Sequence, residues 1–243
     1  MLNIDNYPGW TIAYGGNFED VVLCRAFKSN GPGTYVDVGA GDPVEGSVTK
    51  NLYDLFGWTG VNVEPLNEFY QQLVEGRPND VNIRAAVASH EGQITFHEVS
   101  GAPGRWLGTI NDDVAQRYRE QGTIVNDYLV PAVPLDSILR AHVTPGFDLL
   151  KIDVEGGEAE TLASFNLDYW KPRVVLIEAI DPLDHTDSSK PWDTFLTSAG
   201  YELQLFDGVN HFYVRHNEPE LANAIRVPAN VLDKFIPEIF LRI

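Results

Sequence analysis

Cysteine, positive charge and long apolar runs are all scarce in these 243 residues. The single cysteine, Cys24, excludes an internal disulfide framework and a cysteine-based zinc cage, and it suits a reducing cytosol. It falls in a segment of helical spacing, where it reads as a small buried apolar residue. Lys and Arg number 17 against 35 Asp and Glu, a formal charge of −18. Such a field repels nucleic acid and anionic membranes, so neither is expected as a partner. A sugar-phosphate polymer stays open only as a transient substrate. No apolar run reaches the roughly 18 residues of a membrane span. The opening MLNIDNYPGWTIAYGG lacks the basic segment and apolar core of a signal peptide. A cytoplasmic protein is expected, with homo-oligomer formation left open.

What is present is an alternation. FEDVVLCRAFK (18–28) has helical spacing, TYVDV (34–38) reads as a strand and VTKNLYDLFG (48–57) as a helix stopped by its glycine. GVNVEP (60–65), a helix over 67–75 and a strand over VNIRAAVA (81–88) continue the rhythm, which predicts parallel βαβ units. QITFHEV (93–99) then alternates like a strand with no helix before it and is read as an antiparallel addition. The Gly-rich loop 100–109 and a polar helix at 113–121 follow. In YLVPAVPLDSIL (128–139) the prolines predict a short edge strand before a helix. FDLLKID (147–153) and RVVLIEA (173–179) read as buried strands flanking a helix at 157–165. A helix at 192–199 and a strand pair around the hairpin-like DGVN (207–210) close the sheet. The tail, with Pro228 and Pro237, reads as packing helices. One domain over 1–243 is expected, with a helical extension at 1–32 and an inserted strand, loop and helix segment at 90–135.

The turn after the first buried strand carries chemistry. TYVDVGAGDPVEGS (34–47) places Gly39 and Gly41 at a strand end, but Val44 stands where a nicotinamide-binding G-x-G-x-x-G turn has its third glycine. Pyrophosphate wants bare backbone N–H groups and no carboxylates nearby; Asp37, Asp42 and Glu45 repel it. They suit S-adenosylmethionine, which carries a sulfonium and an ammonium against one carboxylate. Glu64 then falls at the end of the next strand, where an acidic side chain can accept both ribose hydroxyls. With the neighbouring Ala40, Ser47 and Pro65, the residues Asp37, Gly39, Gly41 and Glu64 are the candidate donor contacts.

A second acidic group lies in LLKIDVEGGE (149–158). Lys151 and Asp153 share one face of a strand, while Glu155 and Glu158 open a helix, where the dipole favours carboxylates. VVLIEAID brings Glu178 to the next strand end, with Asp181 three residues on. If the two strands are neighbours, Asp153 and Glu178 converge beside the donor's methyl group, as a general base or as ligands for a hard cation such as Mg²⁺. Asp153 is the first candidate for either role and Glu178 the second. Lys151 either orients Asp153 or forms a structural ion pair. Trp106 and Trp192 offer sugar-stacking faces or ordinary packing.

YVDVGAGDPVEGSVTKNLY (35–53), GVNVEP, DLLKIDVEGGE (148–158), RVVLIEA and DGVNHFYV (207–214) together resemble the FkbM-type methyltransferases. The resemblance implies a doubly wound, mostly parallel, seven-stranded class I (Rossmann-like) sheet with an antiparallel edge. It implies an O-methyltransferase acting on a sugar or glycan, or on a polyketide or other small natural product. By the same resemblance Asp37, Gly39 and Gly41 bind the donor, Glu64 holds the ribose, and Asp153, Glu155 and Glu158 belong to the signature near the reaction centre. NFEDVVLCRAF (17–27) and DGVNHFYV resemble the branch of that family found beside glycan-assembly genes, in which Arg is expected where His211 stands, so His211 reads as a strand histidine. A non-catalytic adenosine-ligand protein is the alternative of a different class.

Overall fold

The strands richest in β-branched and apolar residues take the middle of the main sheet, where helices cover both faces. The computed structural model describes residues 4–100 and 107–241. The chain begins with β1 (Thr11–Ala13), α1 (Glu19–Phe27), β2 (Thr34–Val38), α2 (Lys50–Phe56), β3 (Thr59–Val63), α3 (Asn67–Gly76) and β4 (Val81–Ile83). It continues through β5 (Ala86–Val87), β6 (Gly92–Ser100), β7 (Gly108–Thr109), α4 (Asp112–Glu120), β8 (Ile124–Val133) and α5 (Leu135–His142). Next come β9 (Leu149–Ile152), α6 (Glu158–Ala163), α7 (Leu167–Trp170), β10 (Val174–Glu178) and α8 (Lys190–Ser198). β11 (Tyr201–Phe206), β12 (Asn210–Arg215), α9 (Pro219–Ile225) and β13 (Phe235–Pro237) follow.

Seven strands form one mixed sheet in the order β11-β12-β10-β9-β2-β3-β4. The run from β10 to β4 is parallel, and β12 is antiparallel to both β10 and β11. The chain moves outward from β2 to β4, then restarts at β9 on the other side of β2. At that reversal point the two crossovers leave in opposite directions, and a crevice opens beyond the strands' carboxyl ends. Alternate side chains feed two cores. Val36, Ile152 and Ile177 pack with Leu139, Trp170 and Leu196 on one face. Tyr35, Leu149 and Leu176 pack with Leu23, Leu52 and Ile225 on the other. Burial on both faces is why these strands lack a polar stripe.

Several expectations are corrected. VNIRAAVA is not one strand: β4 closes the main sheet, while β5 pairs with β8 in a second sheet of order β5-β8-β6-β7. QITFHEV is antiparallel as expected, yet its partners are β7 and β8, so it builds this separate sheet. β8 is ten residues long and lies inside that sheet, not at its edge. Pro131 fits there because β5 reaches only Ala132 and Val133, which leaves the proline a neighbour on one side alone. In the main sheet the antiparallel strand, β12, is second from the edge, and the edge strand β11 runs with the parallel set. The segment 1–32 is not purely helical, nor is the tail: β1 and β13 pair in parallel across the whole chain. Among the described residues no helix is long and apolar enough to cross a membrane.

Candidate active site

The turn after β2 is shaped by its neighbour in the sheet. Gly39 takes φ 75°, and a Cβ built on it would stand 1.8 Å from the backbone oxygen of Asp153. Only glycine allows that approach. The N–H groups of Gly39 and Ala40 both donate to the carbonyl of Val63, which locks the turn onto the end of β3. Gly41, at φ 60°, has open space where a Cβ would go, and its N–H donates 3.0 Å to Oε2 of Glu64. The other oxygen of Glu64 accepts from Leu66 N–H at 2.8 Å. Burial pushes the Glu64 carboxyl up to about 7 against the pull of those two N–H groups and Lys151.

These elements wall a cleft of about 360 Å³, within the range of small-molecule sites. Gly39, Ala40, Gly41, Glu64 and Pro65 line it, as do Lys151, Asp153 and Glu155. Phe96 and Ile110, contributed by the second sheet and the loop after β7, line it too, in one apolar cluster with Leu66. The lining carboxylates are Glu19, Asp42, Glu45, Glu64, Asp153 and Glu155, with Lys151 the one cation among the described lining residues.

Two proposed donor contacts lie beneath the cleft and do not line it. Asp37, fully buried, accepts from Thr49 Oγ1 at 3.0 Å and lies 3.2 Å from Lys151 Nζ, its register partner on β9. Ser47 Oγ accepts from Arg77, whose guanidinium also donates to Pro43 O. Arg77 thereby staples the loop after Gly41 from below. Asp42 is engaged locally, its Oδ1 accepting from the N–H groups of Val44 and Glu45.

Lys151 sits between the two acidic groups. It donates to Gly39 O at 2.6 Å and pairs with Asp37 at 3.2 Å and Asp153 at 3.5 Å. Burial works against its charge, but Asp37 and Asp153 outweigh it and hold its pKa above the ordinary value. β9 and β10 are neighbours, so the condition set by the sequence is met. One carboxylate oxygen each from Asp153, Glu155 and Glu178 lies within 4.8 Å of the others. Two unit charges about 4 Å apart repel by roughly 4 kcal/mol at an effective dielectric of about 20. Burial first, then the charges of Asp153 and the neighbouring glutamates, push Glu155 and Glu178 well above the ordinary carboxyl range. Glu158 serves the backbone instead, its Oε1 accepting from Val154 and Gly156 N–H and closing the loop at the start of α6. Asp181 is held away from the cluster by Arg117 at 2.6 Å.

Trp192 is 2 % exposed and packed in the core, which leaves it no free face for a sugar. Trp106 lies outside the described residues. His211 is buried against Trp192 and Phe206, with Nδ1 3.3 Å from the Tyr213 hydroxyl, and burial lowers its pKa.

Glu19 was not legible as a site residue. It opens α1 like an ordinary dipole-favoured acid, yet it lines the cleft while nearly fully buried. Its Oε1 accepts from Asn210 Nδ2 at 2.8 Å and its Oε2 from Asn17 N–H at 3.0 Å. Burial pushes its carboxyl up to about 7. A bridge between Gly15 and Gly46 ties this N-terminal segment to the cleft rim. The pair Gly15-Gly16 before an acid is the one signal that could have marked it.

The crystal structure of methyltransferase FkbM from Methylobacillus flagellatus KT aligns at 16% identity and TM-score 0.46, covering 75% of this chain and 43% of that one. The chain therefore spans under half the length of that protein. A fibrillarin/Nop5p complex aligns at 12% identity and TM-score 0.38, over 75% of this chain and 72% of that one. No curated protein matches the sequence. The model of the methyltransferase FkbM domain matches residues 37–203, from the buried aspartate of β2 into β11. With the glycine turn, Glu64 and the whole acidic cluster inside that match, the chain belongs to the FkbM methyltransferase family.

Proposed function

We propose that the protein transfers a methyl group from S-adenosylmethionine to a hydroxyl of a sugar or glycan. One observation carries the reading: a cleft over a glycine turn whose walls hold six carboxylate residues and a lysine already engaged by Asp37, Asp153 and Gly39 O. Such walls favour a ligand with cationic centres and disfavour a pyrophosphate.

Glu64 has each oxygen held by one backbone N–H, so a lone pair on each stays free to accept a ribose hydroxyl. Phe96, Phe69 and Ile110 give the cleft an apolar lining suited to an adenine ring. When bound, S-adenosylmethionine supplies a methyl carbon on a sulfonium and leaves as S-adenosylhomocysteine. Asp153, with its side chain 38 % exposed at the cleft wall, takes the proton from the acceptor hydroxyl as the oxygen–methyl bond forms. Lys151 is a positioning residue: it holds Asp153 against β2 and fixes the Gly39 carbonyl. What remains is alignment of acceptor oxygen and methyl in a cleft that Glu19 and Gly46 help to line.

Calorimetry with S-adenosylhomocysteine and with NAD tests the donor half of this reading. Binding of the first and none of the second is expected; the reverse would sink it. Mass spectrometry of cell glycans with and without the gene tests the acceptor half, through loss of a methylated sugar.

A further inference from the structure

The cluster of Asp153, Glu155 and Glu178 is more than a base and its neighbours. Glu178, 9 % exposed at the end of β10, has an Oε2 buried with no hydrogen-bond partner. Oε2 of Glu155 is in the same condition. Of the described residues, Lys151 pairs with Asp37 and Asp153 and donates to Gly39 O, while Arg117 pairs with Asp181 and Asp184, and neither forms an ion pair with Glu155 or Glu178. Glu155 reaches the cluster only through a left-handed backbone at φ 54°, a conformation that disfavours a side chain. The loop is fixed in that shape by Glu158, which spends its own carboxylate on Val154 and Gly156 N–H. Strain and unmet oxygens thus meet at one point beside the cleft.

Oxygens on opposite sides of a single ion stand twice the metal–oxygen distance apart, about 4 Å for Mg²⁺ and about 5 Å for Ca²⁺. The three carboxylate oxygens lie within 4.8 Å of one another. We propose that Asp153, Glu155 and Glu178 form a binding site for one hard divalent cation of the Mg²⁺, Mn²⁺ or Ca²⁺ kind. Glu155 is the ligand that sequence spacing did not assign, since it completes the set only through the turn of the loop. An all-carboxylate set selects a hard ion over zinc or copper. Ion binding here stands independently of methyl transfer. If the proposed reaction holds, the ion also lowers the pKa of an acceptor hydroxyl that reaches it.

The test uses the full chain, stripped with a chelator, desalted and titrated with MnCl₂ alone, free Mn²⁺ being read by electron paramagnetic resonance. One Mn²⁺ per chain is expected at about 10⁻⁵–10⁻³ M, displaced by Mg²⁺ or Ca²⁺. Glu178→Gln and Glu155→Gln should each weaken it roughly tenfold or more, whereas Asp54→Asn, an exposed carboxylate of α2 paired with Lys50, should not. Circular dichroism and urea unfolding establish that the variants are folded. No binding up to about 10⁻³ M, or binding unchanged in both glutamine variants, overturns the proposal. A third outcome also overturns it: no ion binds, yet both variants raise the unfolding midpoint, meaning that the glutamates share a proton. S-adenosylhomocysteine calorimetry on the same samples reports separately on the proposed function.

Discussion

Gly39→Ala and Gly41→Ala differ by two positions, yet the structure assigns them different consequences. Both residues have positive φ, which costs an ordinary side chain about 1–2 kcal/mol. At Gly41 that is the whole structural penalty, because a Cβ there meets no atom within 4 Å. At Gly39 the new methyl would lie 1.8 Å from Asp153 O, against the 3.0 Å below which such contacts are essentially never seen. The ends of β2 and β9 must therefore separate by more than about 1 Å. That strains the bond from Asp153 N–H to Val38 O at 3.0 Å and the one from Lys151 Nζ to Gly39 O at 2.6 Å. Losing a neutral and a charged hydrogen bond costs about 2–4 kcal/mol together. The total for Gly39→Ala is about 3–6 kcal/mol, a large share of a typical domain's stability. Urea unfolding followed by circular dichroism measures both variants, and S-adenosylhomocysteine calorimetry follows on whichever remains folded. Gly41→Ala should lose about 1–2 kcal/mol of stability, and its donor affinity should fall because the methyl enters the lined cleft. If the two variants unfold within about 1 kcal/mol of each other, the close approach to Asp153 is not what fixes Gly39.

Asp153→Asn should bind S-adenosylhomocysteine within a few-fold of wild type while methyl transfer falls about 10²–10⁴-fold; near-normal turnover removes Asp153 from the chemistry. Arg77→Lys keeps the charge but not the fork, whose Nη2 donates to Pro43 O and Ser47 Oγ while Nη1 donates to the Tyr35 hydroxyl. It should cost about 1–3 kcal/mol, and an unchanged unfolding midpoint would show that the loop needs no such staple. Acidification should stabilise the ligand-free protein. Glu19, Glu64 and Glu158 rise from 4.5 to about 7 on folding, each chiefly by burial. The folded chain thus binds more protons than the unfolded one between those values, and stability is lost as pH rises through them. Each group contributes on the order of 3 kcal/mol, so the melting temperature should climb from about pH 8 down to about pH 5. A flat or falling profile there would contradict the burial of these carboxylates.

The alternation of strand and helix, the glycine turn and both acidic strand ends were legible in the sequence because each is a local pattern. Apolar runs buried on two faces must lie inside a parallel sheet, and a carboxylate at the end of such a strand must face the crevice beyond it. The reasons behind individual residues belonged to the tertiary structure. Gly39 is glycine because β9 passes against it, and Asp37 and Ser47 are turned inward to Lys151 and Arg77. β8 is interior because β5 and β6 flank it, and its Pro131 is tolerated because β5 is short, neither of which a propensity encodes. Glu19 reached the cleft, and β1 reached β13, across separations that only the folded chain closes. Glu155 joined Asp153 and Glu178 only because a left-handed turn overrode its local preference. Short-range periodicity and strand-end position are written in neighbouring residues. Register, close approach and burial of charge arise only when distant segments compete for the same space.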